Sequence, residues 1–234
     1  MISKCPGQDT QFWGPGDIYT VECPKCGKPV EFFKDDIRRR CHKCGHLFLN
    51  PKLDLGCARW CQYAEQCVGA MGKDEFKEVI TLAMKGYFDG EKEKIDHSLK
   101  VLDFAERILE QERGNPKVVI AAATLYDIAK HETGRKPGEP EKNPLSAVRG
   151  ILERSGSGEE AIEEVCRILE GHEHPENIDT LNGKIVYDAD RLAHLTAESE
   201  SFDKATIEEM TNEIFFTSAG KKIAGELFSE ATKG

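Results

Sequence analysis

The chain has 234 residues and a net charge of −10, with 39% hydrophobic and 32% charged residues. This length suits one main domain with room for a small second one, since a domain spans roughly 100–200 residues. The composition is that of a soluble globular protein and disfavours disordered or collagen-like chains. No apolar run approaches the roughly 18 residues of a membrane-spanning helix, and the N-terminal MISKCPGQDTQFWGPG lacks the apolar stretch of a signal peptide. We therefore expect a cytoplasmic protein with no membrane partner.

The charge is unevenly distributed along the chain. Residues 1–72 contain ten Lys/Arg and eight Asp/Glu, a balance of +2, which leaves −12 for residues 73–234. An acidic main domain repels the phosphate backbone of nucleic acids, so nucleic acid is not an expected partner. The three arginines Arg38–Arg40 are interpreted as a solvated turn.

Eight of the nine cysteines lie before residue 68, and four of them form two Cys-x-x-Cys pairs separated by fourteen residues. Crowded thiols in a reducing compartment indicate metal binding rather than disulfides. Each pair is followed by a glycine, and the VEFF and HLFL segments predict short strands. Residues 21–50 therefore resemble a zinc ribbon, in which one zinc ion would be bound by Cys23, Cys26, Cys41 and Cys44.

The remaining N-terminal cysteines form a second candidate set: Cys5, Cys57, Cys61 and Cys67. Cys57 and Cys61 are four residues apart, so a helical turn would place both sulfurs on one face. Four thiolates suit either a second zinc ion or an iron–sulfur cluster, and packing of reduced cysteines remains an alternative. A closed four-thiolate site has no open position for a substrate. We therefore predict a structural or docking role, with a protein partner, for the cysteine-rich module at residues 1–72.

Helical periodicity begins after this module and continues to the end of the chain. It predicts an all-α domain over residues 73–234, and the whole chain as mainly α with a small β-containing module in front. The predicted helices cover about 74–88, 91–112, a stretch from 116, 145–154, 159–171, 184–199, 202–216 and 219–231, with a loop over 132–144.

Several polar residues interrupt apolar stretches of these helices. Asp127 lies in LYDIA, His97 lies near Ile95 and Leu99, and the segments GHEHP and VYDADRLAHL follow later. A buried unpaired carboxylate is costly, so Asp127 requires either a metal ion or a set of hydrogen bonds. Each residue by itself has a simpler structural explanation, but their order and separation form a pattern.

This pattern resembles the HD superfamily of metal-dependent phosphohydrolases, whose signature is a His, a His-Asp doublet and a distal Asp. DHSLKVLDFAERI supplies His97, AAATLYDIAKHE supplies Asp127, and VYDADRLAHL supplies Asp190 with Asp188 as its neighbour. The resemblance implies a divalent metal (Mn, Mg, Fe, Ni or Zn) on these three ligands. Further ligand candidates are Tyr126, His172 and His174.

The resemblance also implies roles in catalysis. By the resemblance, Asp127 would be ligand and general base. Lys130 lies three residues after Asp127 and four after Tyr126, so helical spacing would let it meet the substrate phosphate, and it is the second catalytic candidate. Arg135 and Arg191 are the other candidates for binding that phosphate. The substrate would be a small phosphorylated compound, and nucleotides are frequent in the family.

One departure from the family pattern leaves two hypotheses open, because Tyr126 stands where the doublet has histidine. An imidazole binds a divalent cation while neutral, whereas a phenol must first lose a proton with a pKa near ~10. The chain is therefore either an active phosphohydrolase or a degenerate HD domain that binds a nucleotide or a protein.

Overall fold

The computed structural model describes residues 9–59, 61, 71–130, 144–171, 174–198 and 213–231. By its internal contacts the chain divides into two compact units. The first comprises Met1–Gly72 with Glu153–Ser157, and the second comprises Lys73–Leu152 with Gly158–Gly234. The described part contains two small antiparallel strand pairs followed by seven α-helices. The expected fold class, mainly helical with a small β-containing cysteine module, is therefore confirmed.

The first unit contains two β-hairpins. Strand β1 (Ile18–Glu22) pairs with β2 (Pro29–Phe33), and β3 (Arg38–Arg40) pairs with β4 (Leu47–Leu49). The arginines of β3 are thus a strand and not the predicted turn, because the partner strand supplies its backbone hydrogen bonds. A small hydrophobic cluster of this unit has four buried members, Cys23, Val30, Phe32 and Cys41.

The second unit is a bundle of helices. Its helices are α1 (Lys73–Tyr87), α2 (Lys92–Leu109), α3 (Pro116–Lys130), α4 (Pro144–Arg154), α5 (Glu159–Gly171), α6 (Leu181–Glu198) and α7 (Ser218–Ala231). These agree with the predicted segments, and no end differs by more than three residues. The predicted helix at 202–216 and the loop at 132–144 lie almost entirely outside the described residues. No helix in the described ranges is both long and apolar enough to cross a membrane.

Helix α3 is the central element of the bundle. Proline at its first position suits a helix start, because that residue needs no amide hydrogen bond. Its side chains are buried almost without interruption from Val118 to Ile128, and it packs against α1, α2, α5 and α6. Helices α2 and α6 also pack against each other. Residues on α2, α3 and α6 therefore face a common region, and the predicted site residues His97, Asp127 and Asp190 lie on these three helices.

A buried carboxylate of α6, Asp188, binds the chain at the start of α7. Asp188 is fully buried and accepts hydrogen bonds from the backbone N–H groups of Phe216 and Thr217, at 2.9 and 2.8 Å, and from the Thr217 hydroxyl at 2.6 Å. The Thr217 hydroxyl in turn accepts the N–H of Gly220 at 2.9 Å and caps the helix. Burial raises the pKa of Asp188. Asp188 therefore has a structural role at the start of α7.

Gly220→Ala is expected to destabilise the protein by about 1–3 kcal/mol, as overpacking of a tight contact does. A Cβ at this position would lie 2.5 Å from Asp188 Oδ2 and 2.9 Å from Thr217 Oγ1. Three hydrogen bonds hold that carboxylate, so it cannot move away freely. The matched control is Gly225→Ala on the same helix, where a Cβ meets nothing within 4 Å. The control should gain up to ~1 kcal/mol from helix propensity. Urea unfolding followed by circular dichroism measures both, and equal stability of the two variants would contradict the prediction.

Candidate functional site

Four sulfur atoms of the first unit form a compact cluster. The Sγ atoms of Cys23, Cys26, Cys41 and Cys44 lie within 4.8 Å of one another. Cys23 is 3.7 Å from Cys44, and Cys26 is 3.7 Å from Cys41, measured between sulfurs. Tetrahedral zinc with metal–sulfur bonds of about 2.3 Å requires sulfurs roughly 3.8 Å apart. These four cysteines therefore fit a metal ion, as a zinc-ribbon-like module requires.

The two halves of this cluster have the same backbone geometry. Gly27 and Gly45 have positive φ angles of 68° and 72°. Each glycine N–H donates to the carbonyl of the first cysteine of its pair at 2.9 Å. Only glycine adopts this conformation without strain, which explains why it follows each pair. The backbone N–H groups of Cys44 and Lys43 lower the pKa of Cys41 to about 6, whereas desolvation and the neighbouring cysteines raise the pKa of Cys44 to about 11. Cys41 is therefore the thiolate of the cluster that forms most readily.

The second cysteine set is described only in part. Cys57 lies in a short 3₁₀ turn, Gly56–Arg59, and its carbonyl accepts the N–H of Cys61 at 3.1 Å. This helical turn is the local geometry expected from their spacing. Cys5 and Cys67 lie outside the described residues, so zinc or iron–sulfur binding by this set stays a prediction.

In the second unit, α2 and α3 bring His97 and Asp127 into contact. His97 Nδ1 is 2.8 Å from Asp127 Oδ2, and the Ser98 hydroxyl donates to the same oxygen at 2.9 Å. Burial raises the pKa of Asp127, but the hydrogen bonds from His97 and Ser98 prevail and lower it. The hydrogen bond to Asp127 raises the pKa of His97. The other ring nitrogen, Nε2, is buried without a hydrogen-bond partner among the described residues.

Asp190 of α6 is the buried anion of the site, with none of its side chain exposed. Its Oδ2 accepts a hydrogen bond from Arg191 at 3.0 Å. Its Oδ1 lies 3.4 Å from His194 Nε2 and 4.0 Å from Lys130 Nζ, and accepts no hydrogen bond in the part of the chain that is described. Lys130 and Arg191 already balance the charge of this carboxylate. A metal ion bound beside Oδ1 would supply the contact that this buried oxygen lacks.

His194 is a further member of the candidate cluster, and the sequence pattern did not predict it. One donor atom each of His97, Asp190 and His194 lie within 4.8 Å of one another, and the two imidazole rings are 4.9 Å apart between centroids. The signal in the sequence was the spacing of four residues between Asp190 and His194, which places both on one face of a helix. Desolvation lowers the pKa of His194, which favours the neutral, metal-binding imidazole.

Tyr126 lies beside this cluster in a fully enclosed position. Its side chain is 1% exposed, and Lys130 Nζ is 4.0 Å from the centroid of its ring. Burial, together with the charge of Asp190, raises the pKa of Tyr126 above its ordinary value. The phenolate needed for metal ligation is therefore disfavoured, and this argues against Tyr126 as a ligand.

The other predicted site residues fall in different places. His174 is exposed and lies 3.3 Å from Glu176, between Nδ1 and a carboxylate oxygen. It is not a member of the described donor cluster. Arg191 is half-buried against Asp190, as described above, whereas His172 and Arg135 lie outside the described residues.

Two imidazoles and a carboxylate fit a divalent transition metal. The donor set offers nitrogen and oxygen atoms, which suit Mn, Fe, Ni or Zn, whereas Mg prefers oxygen ligands alone. Three protein ligands would leave coordination positions for water or substrate, as catalytic metal sites require. Lys130 and Arg191 add positive charge at the edge of the same cluster.

The family model described as "HD domain" matches residues 95–195. The matched segment includes all the residues of the helical cluster, from His97 on α2 to His194 on α6. HD domains usually bind divalent metals, in agreement with this donor set. No curated protein and no solved structure matches the chain. The family model therefore identifies residues 95–195 as an HD domain, and a zinc-ribbon-like cluster of four cysteines precedes this segment in the sequence.

Proposed function

We propose that the helical unit is a metal-dependent phosphohydrolase that acts on a phosphate ester, with nucleotides as the first substrate class to test. The observation that carries this proposal is the position of Asp190. Its carboxylate is fully buried, and it lies beside two imidazoles, His97 and His194, and two cations, Lys130 and Arg191. A site that only stabilised the bundle would not need this mixture of metal donors and partly exposed cations.

The chemistry follows from these charges. A divalent cation bound here would lower the pKa of a bound water to about 7 and polarise a phosphoryl oxygen. Lys130 and Arg191 are about one-third exposed, so their charged ends can reach a ligand that approaches from solvent. Arg191 offers several N–H donors in a fixed plane, which suits phosphate oxygens. Both side chains would neutralise a substrate phosphate beside the metal.

A degenerate HD domain that binds a nucleotide or a protein without hydrolysis is the alternative. The observation that favours it is Tyr126, which is buried where the family signature has a ligand histidine. Under this alternative the cluster would bind metal weakly, and the same cations would bind a nucleotide phosphate.

The test is hydrolysis of a phosphate-ester panel by the full chain. The panel contains nucleoside mono-, di- and triphosphates, sugar phosphates and p-nitrophenyl phosphate, each with added Mn²⁺, Zn²⁺, Ni²⁺ or Mg²⁺. We expect phosphate release from at least one ester, greater with Mn²⁺, Zn²⁺ or Ni²⁺ than with Mg²⁺, and none after EDTA.

Failure of every ester with every metal would overturn the proposal. The variant Tyr126→His then separates the alternatives. Hydrolysis that appears only in this variant would identify a degenerate site, in which the missing imidazole was the defect. Calorimetry with the same nucleotides on the wild-type chain would measure the binding that this alternative predicts.

The cysteine-rich unit is proposed as a structural or docking module with a protein partner. Its four clustered sulfurs would complete a tetrahedral metal shell and leave no position for a substrate. Catalysis is therefore assigned to the helical unit alone.

A further inference from the structure

We infer that His97, Asp190 and His194 are the metal ligands of the helical site, and that Asp127 is a positioning residue that orients His97. This inference rests on the proposed function only in requiring a metal at the site. It differs from the ligand set that the sequence pattern implied, in which Asp127 binds the metal and His194 has no role. His194 on α6 would then supply the imidazole that the family signature has at the position of Tyr126 on α3.

The position of His194 supports its role as the replacement imidazole. It lies one helical turn after Asp190, and its Nε2 is 3.4 Å from Asp190 Oδ1. Its ring is 4.9 Å from that of His97 on α2, between centroids. Nearly half of its side chain is exposed, so packing does not explain why it lies against a buried carboxylate. A metal ion bound by all three donors would stabilise this arrangement.

The hydrogen bonds of Asp127 support its role as a positioning residue. Its Oδ2 is occupied by two neighbours on α2, His97 Nδ1 at 2.8 Å and the Ser98 hydroxyl at 2.9 Å. With Nδ1 facing the carboxylate, the nitrogen that His97 can offer to a metal is Nε2, which is buried and without a hydrogen bond among the described residues. Metal-binding histidines commonly donate their other N–H to a carboxylate, which sets the tautomer and increases ligand basicity.

Asp190 is the anionic member of the set. It contributes one carboxylate whose Oδ1 accepts no hydrogen bond in the described ranges, although the residue is fully buried. Two imidazoles and one carboxylate with open positions form a site for Mn²⁺, Fe²⁺, Co²⁺, Ni²⁺ or Zn²⁺. The open positions would face substrate or water.

The test uses Mn²⁺ as probe on the full chain, with its cysteine sites filled by zinc. Manganese prefers oxygen and nitrogen to thiolate ligands, so it reports on the helical site. Titration followed by electron paramagnetic resonance gives the dissociation constant. Pulsed resonance with ¹⁵N-histidine labelling counts the imidazoles bound to the ion. We expect one Mn²⁺ per chain with two imidazoles, whereas His97, Asp127 and Asp190 alone would give one imidazole.

Four variants assign the roles. His194→Ala should weaken Mn²⁺ binding by about 100-fold and leave one imidazole signal. Because the His194 side chain is nearly half exposed, its removal should not unfold the helical unit. Asp127→Asn should weaken binding by about 10–100-fold, as loss of an orienting partner does, while both imidazole signals remain. Tyr126→Phe and the exposed-histidine control His174→Ala should bind as the wild type does. Thermal melting of each metal-free variant checks the fold.

The failures of this inference and of the proposed function are distinguishable. Wild-type affinity in His194→Ala, a single imidazole in the wild-type complex, or no Mn²⁺ bound outside the cysteine sites would each overturn the ligand assignment. Loss of an imidazole signal in Asp127→Asn would overturn it as well, unless Asp127→Glu restores the signal. Two imidazoles on the ion together with no hydrolysis of any ester would support the assignment and contradict only the proposed function.

Discussion

Asp190→Asn is expected to release the metal of the helical site and to lower the rate of phosphate-ester hydrolysis by about 10³-fold or more. A factor of 10³ corresponds to about 4 kcal/mol of transition-state stabilisation, which is in the range that a metal ion supplies. The variant removes the anionic donor from between His97 and His194, and leaves Lys130 and Arg191 without their carboxylate. Metal analysis and steady-state kinetics on the folded variant measure the two effects.

The neighbouring carboxylate provides a matched control. Asp188 is two residues away on α6 and equally buried, but its hydrogen bonds go to the start of α7. Asp188→Asn replaces one acceptor with an N–H₂ group that faces a backbone donor, so it should cost about 1–3 kcal/mol of unfolding free energy. Its folded fraction should keep the metal and the activity. Loss of metal and activity in Asp188→Asn, with both retained in Asp190→Asn, would contradict the prediction and assign the metal to Asp188.

Cys41→Ser is expected to remove one metal equivalent and to unfold the strand pairs of the first unit. Two of the four buried members of the hydrophobic cluster are the metal-binding candidates Cys23 and Cys41, so little apolar packing remains around the strands without the metal. Binding of structural zinc contributes about 10–16 kcal/mol in small zinc-binding peptides, and that energy is also their folding energy. Metal analysis gives the lost equivalent, and hydrogen exchange of β1 and β2 reports the unfolding.

His42→Gln serves as the control for this substitution. His42 lies between the two cysteines of the second pair but is exposed, and it is not a member of the sulfur cluster. The His42→Gln variant should keep the wild-type metal content, and its strands should stay protected from hydrogen exchange. Cys41→Ser protein with full metal content and protected strands would contradict the prediction.

The sequence predicted features that depend on local spacing. Two Cys-x-x-Cys pairs with following glycines indicate the cluster because each pair is built within one turn. The helices of the second unit were predicted because apolar residues repeat at helical spacing, and the resemblance to HD domains depended on the order of short segments. In contrast, Arg38–Arg40 was misassigned, since its strand conformation depends on pairing with β4.

The composition and local patterns of this sequence therefore determined that a cysteine-rich module precedes an HD-type helical domain, because turns and helix faces depend on neighbours within a few residues. The tertiary structure alone decided which polar groups meet. It directed Asp188 to the start of α7 and Asp190 to the two imidazoles, placed Asp127 on His97, and brought His194 to the same cluster. Apart from Asp190 and His194, which are one turn apart on α6, these contacts join residues distant in sequence. They depend on how α2, α3 and α6 pack around a common core.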